Sequence, residues 1–165
     1  MTFTFERDEI KAAPQEMQNL FAYWNKLSGE RFAPTLKDFD LPEIPSDLLP
    51  NSIIVDYIAA DDTFKYRFFG TEASSRHGQD MTGLSPLDSH MKPFGEALDQ
   101  EYRAFMKRKQ PEYLSFQHLN QFGANELHKV LRLPLSDDGK AISGIVVILI
   151  ACDDEEENLK VFAKE

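Results

Sequence analysis

A single cysteine, Cys152, stands in the 165 residues, so the chain forms no internal disulfide and builds no cysteine-based metal cage. Positive charge is scarce: 18 Lys and Arg face 28 Asp and Glu, a net −10 that repels a phosphate backbone and argues against direct nucleic-acid binding. Long apolar runs are missing too. The longest, Ile145 to Cys152, is well short of the ~20 residues that span a bilayer. The first residues, MTFTFERDEIKAAP, have no basic stretch leading into an apolar one, so no secretory signal is read there, and the expectation is a soluble, cytoplasmic protein. No glycine pattern of a dinucleotide site or P-loop occurs, no H-E-x-x-H and no G-x-S-x-G. The four histidines, His77, His90, His118 and His128, never fall at i, i+4, and no metal site is expected.

What is present is a folded domain. Apolar residues make up 42% of the chain and 13 are Phe, enough for one core. Residues 1–14 read as a flexible N-terminus. From Pro14 the positions Met17, Leu20, Phe21, Trp24 and Leu27 recur at helical spacing, and Gly29 suits the C-terminal cap. This stripe either packs on the domain's own sheet or serves as a dimer helix; one helix can do both. Pro34, Pro42, Pro45 and Pro50 forbid a long helix and make the rest of 15–50 an extended connector.

The core is assigned to 51–152. Ser52–Ala60 and Thr63–Phe69 read as a hairpin about Asp61-Asp62, with Phe64, Tyr66 and Phe68 on one face and Lys65, Arg67 and Phe69 on the other. Arg67 is expected to pair with Asp56 across the hairpin, or else to reach a ligand's acidic group. Gly70 breaks the strand and Thr71 caps a short helix, 72–77. A long helix covers about 93–109, acidic early and basic late, with Phe94, Ala97, Leu98, Glu101, Tyr102 and Phe105 on one side. Three strands follow, Glu112–Asn120, Leu127–Leu135 and Ile142–Cys152, the last apolar on both faces and therefore central. Residues 153–165 form an acidic tail, with the run Asp153–Glu157 read as solvated. The prediction is an α+β fold with a five-stranded antiparallel sheet, helices on one face and an N-terminal amphipathic helix.

This order resembles a PAS domain. Trp24 in an N-terminal helix, Leu48-Leu49-Pro50, the word Phe64-Lys65-Tyr66-Arg67-Phe68-Phe69-Gly70-Thr71, Gly78, Gly83 and Leu133-Pro134-Leu135-Ser136 before an Asp-Gly turn are similar to one small PAS family, common in alphaproteobacteria as stand-alone proteins. The likeness covers about residues 17–150. It implies a sensory or protein-interaction module, dimeric through its N-terminal helix, and supplies no catalytic residues.

Candidate residues follow from the same layout. Tyr66, Phe68, Phe94, Leu98, Tyr102, Phe105, Phe116, His118, Val130 and Val146 surround the space between sheet and helices. They either fill it as core or leave a pocket for a small apolar or aromatic ligand. His118 and His128 sit on neighbouring strands; a sheet role is expected for them rather than haem ligation. The region SSRHGQDMTG lacks the Asn-Cys-Arg-Phe word of the flavin-cysteinyl light sensors, so no flavin adduct is expected. Asp88-Ser89-His90 has the wrong geometry for a triad. The expected function is a non-catalytic sensory or interaction module, homodimeric, that passes its signal to a separate partner protein. Two further readings stand beside it: a small isomerase- or dehydratase-like enzyme of the cone-shaped α+β type, and a ligand-free structural partner domain.

Overall fold

The computed structural model describes residues 3–39, 41–119 and 125–152. The acidic run and tail at 153–165 and the turn at Gly123-Ala124 lie outside the described residues. Six strands form one antiparallel sheet: β1 (Phe5–Asp8), β2 (Ser52–Ile58), β3 (Thr63–Phe69), β4 (Glu112–Leu119), β5 (Asn125–Leu135) and β6 (Gly144–Cys152), in the order β1-β4-β5-β6-β2-β3. The helices are α1 (Gln15–Ser28), α2 (Thr71–His77) and α3 (Lys92–Arg108). The sixth strand is β1, in a stretch expected to be flexible; it pairs with β4 at the sheet edge, Phe5 opposite Phe116. Its sequence, FERD, holds one apolar residue among four, too little for a strand pattern to show.

β6 is central, as its two apolar faces require. Its side chains alternate between two separate cores. Val146 and Ile148 face α1 and the connector, where Met17, Leu20, Trp24, Phe39 and Leu133 are buried. Ile145 and Val147 face α2 and α3, with Tyr66, Phe94, Tyr102, Phe105 and Phe116. The sheet is therefore covered on both sides, by α1 on one and by α2 and α3 on the other.

The α1 stripe is used inside the domain. Met17, Leu20 and Trp24 are buried, while Phe21 and Leu27 are half-buried at the margin of the same core. The Trp24 indole N–H donates to the Pro134 carbonyl at 2.7 Å. β4 pairs no further along β5 than Arg132, so Pro134, which has no N–H to give a ladder, sits where no neighbouring strand needs one. The carbonyl, unclaimed by a strand, is left for α1.

One irregularity decides which residues meet the α3 side. Ile54 pairs with Phe68 and Val55 with Tyr66, so Arg67 is an extra residue on β3. This bulge turns Phe68 away to the α1 core and brings Phe69 round beside Tyr66, their rings 5.0 Å apart. The strict alternation expected of Phe64, Tyr66 and Phe68 fails for that reason. Arg67 pairs with Asp56 as expected, Nη2 to Oδ2 at 2.9 Å.

Two glycines permit close backbone approach. A Cβ at Gly70 would overlap the Pro50 carbonyl oxygen, and one at Gly95 in α3 would overlap that of Pro86. Gly70, not Thr71, is the N-cap of α2, and Thr71 is its first helical residue.

Candidate functional site

Between the sheet and α2/α3 lies a cavity of about 40 Å³. At about 10–15 Å³ for each water-sized group it has room for roughly three. The sheet supplies Ile53, Tyr66, Phe69, Phe116, Val130 and Val147, and the helices supply Ala73, Phe94, Gly95, Leu98 and Tyr102. Polar groups break this wall at three places.

The first is Arg132. It lies on β5 between Leu131 and Leu133, and alternation sends those leucines to the α1 core and Arg132 to the cavity face. It is only 1% exposed. Its Nη1 donates to Glu101 Oε2 and to Glu112 Oε1, both at 2.9 Å. The same glutamates hold Arg7 of β1, at 2.7 and 3.1 Å, and Arg108 donates to Glu112 at 3.1 and 3.2 Å. Three cations and two anions thus tie β1, α3, β4 and β5 together. The Arg132 Nε–H is buried and has no hydrogen-bond partner among the described residues. The guanidinium carbon lies 5.5 Å from the Tyr102 ring and 5.7 Å from that of Phe5, within cation–π range. Burial pushes the Tyr66 and Tyr102 hydroxyls above the ordinary phenol range, Tyr66 the further.

The second is His77 at the end of α2, whose Nε2 lies 3.1 Å from Ser89 Oγ. Ser89 Oγ also accepts the Met91 N–H at 3.1 Å, which pins α2 to the entry of α3. Asp88 is turned away to accept the Ser85 N–H, and His90 contacts Gln79, so Asp88-Ser89-His90 forms no triad. The third is His128, stacked on Phe116 at 5.2 Å with its Nε2 3.4 Å from Glu126, which Arg76 also approaches at 3.3 Å.

Of the expected pocket residues, Tyr66, Phe94, Leu98, Tyr102, Phe116 and Val130 line the cavity. Phe105 is buried in the same core but does not reach it. Phe68 and Val146 lie on the opposite face; the bulge moves the first, and the register of Val146 with Leu133 places the second, so Phe69 and Val147 take their places. His118 lies on β4 opposite Glu126, and its side chain lies outside the described residues. His77, Ser89 and Arg132 were not among the pocket candidates; His128, expected as a partly exposed sheet histidine, is instead fully buried and lines the cavity. Arg132 left a readable trace, a lone cation in the apolar word Leu131-Arg132-Leu133, and the His77–Ser89 contact left none. Among the described residues no three His, Cys, Asp or Glu are gathered as metal ligands, and no helix is long and apolar enough to cross a membrane.

A sheet with helices packed over an interior cavity is the architecture of sensory ligand-binding domains. The PAS domain family model matches residues 12–149, and the chain belongs to that family. The cone-shaped isomerase layout is thereby set aside as the fold. No curated protein matches the sequence. Among solved structures, VqmA bound to DPO is 13% identical with a TM-score of 0.51, over 73% of this chain and 59% of that one. The Vibrio cholerae VqmA dimer, in the absence of its target DNA, is 13% identical at TM-score 0.52, over 73% and 52%. The light state of the blue-light photoreceptor Aureochrome1 LOV is 14% identical at 0.49, over 70% and 91%. The chain spans a little over half the length of the VqmA chains.

Proposed function

We propose that this PAS domain is a non-catalytic sensory module that takes a small ligand, with an apolar body, into the cavity beneath α2 and α3 and passes the event to a separate partner protein. The carrying observation is a mainly apolar pocket wall broken by a few buried polar groups. The DPO-bound state of VqmA, which shares the fold, is consistent with this use of it. Met81 and Leu98, unbranched or flexible at the wall, are the side chains that yield to a body larger than three water-sized groups.

Occupancy is reported through the N-terminal segment. Phe3 packs on Phe94 at 5.3 Å, Phe5 on Phe116 at 5.4 Å, and Arg7 shares both glutamates with Arg132. Cavity walls and β1 therefore move together. The module works in the cytoplasm and as a homodimer; since Met17, Leu20 and Trp24 are committed to the domain's own core, the dimer face draws on Phe21 and Leu27 at the margin of α1.

A thermal-shift screen of small apolar and aromatic compounds tests the reading. Ligands should raise the melting temperature of the wild type and leave Ala73→Leu, in which the cavity is filled, unchanged. Trp24, across the sheet, reports that the variant is folded. Compounds that stabilise both proteins equally would place binding elsewhere.

A further inference from the structure

We propose that the ligand carries one carboxylate, received in the cavity by the Nε–H of Arg132. The inference rests on the reading of the cavity as a ligand site and names the chemistry of that ligand.

Arg132 is buried, lines the cavity, and spends its two described hydrogen bonds from Nη1 alone. Nε keeps a charged donor with no partner among the described residues. A buried donor of this kind is costly until an acceptor meets it, and the strongest partner for a guanidinium edge is a carboxylate. The charge count points the same way. Arg7, Arg108 and Arg132 share Glu101 and Glu112, so one positive charge is left over at this wall, which a monoanion balances. At the far wall Arg76 and Glu126 offset each other. Charge excludes a dianion at this point: a phosphate dianion would exceed the single positive charge left over by Arg7, Arg108 and Arg132. The remaining wall, Ile53, Met81, Val147 and Leu149, receives an apolar body.

The test follows the Arg132 Nε–H resonance of ¹⁵N-labelled full-length protein, assigned through its contacts with the Tyr102 and Phe5 rings. Propionate, butyrate and benzoate are titrated at constant ionic strength against chloride, beside propionamide, butyramide and benzamide. A saturable shift with a carboxylate, roughly tenfold weaker binding of its amide, and loss of both in Ala73→Leu support the proposal. Amides that bind as well as the acids overturn the carboxylate while leaving a ligand cavity in place. Failure of every acid and amide to bind overturns both readings. A shift that chloride reproduces, or that survives in Ala73→Leu, marks ion binding outside the cavity and also overturns the proposal.

Discussion

Arg132 Nη1 donates to Glu112 Oε1 at 2.9 Å, with the two side chains only 1% and 7% exposed. An ion pair this deep is expensive to leave half-made, because the survivor keeps its desolvation cost without its partner. Arg132→Met is expected to lower the unfolding free energy by about 3 kcal/mol, near the lower end for breaking a buried pair, since Arg7 and Arg108 still reach the glutamates. Arg7→Ala, at a half-exposed edge, is expected to cost about 1 kcal/mol or less. Urea titrations of the two variants check the ratio, and equal losses would contradict the ranking.

The β3 bulge gives a sharper contrast at one position. Arg67→Ala removes a solvent-exposed pair with Asp56 and should cost at most about 1 kcal/mol. Deleting Arg67 removes the extra residue itself; Phe68 stays opposite Ile54 and Phe69 stays on the side of Tyr66, but the strand loses the local bend and twist that the bulge supplies. The deletion should be the more destabilising by chemical denaturation, because it changes the path of the strand as well as removing the pair. A deletion as mild as the alanine would mean the bulge is dispensable.

Gly95→Ala should destabilise by about 1–3 kcal/mol, the usual cost of overpacking, because the new methyl meets the backbone oxygen of Pro86 and not a yielding side chain. Thermal unfolding measures it. Ala97, a neighbour in α3, is already alanine, so the helix itself accepts that side chain and the cost at Gly95 is one of space.

Burial raises both Tyr66 and Tyr102, so the folded state holds their protons more tightly than the unfolded chain, where phenols titrate near pH ~10. The sign follows from proton counting: above that pH the unfolded state binds fewer protons, and stability falls as pH rises. The contribution is complete below pH ~10 and is lost as pH climbs from there through the folded values. Tyrosinate absorbance followed with circular dichroism should show these two phenols ionising only as the fold is lost. Their smooth titration in a folded protein would contradict the buried placement.

Much of the fold was legible because its signals are local and periodic. The spacing of Met17, Leu20 and Trp24 gave α1, and the apolar run of β6 gave the central strand. The site was less legible because its decisive features are not periodic. TFKYRFF reads as unbroken alternation, and nothing in it announces that Arg67 is unpaired. In β6 every position is apolar, so no pattern could prefer Val147 to Val146 for the cavity; the register with β5 decides it. Glu101 fell on the apolar side of α3 in the helical reading, and the reason is Arg132, 31 residues away in sequence.

The most direct test of a sensory PAS domain with a loaded cavity is native mass spectrometry of the full-length protein purified from its own host. A homodimer carrying a small molecule that denaturation releases, and that Ala73→Leu fails to carry, is the predicted result. Wild type and variant each at the bare mass of its own polypeptide, with no released compound and no partner bound, would contradict the account.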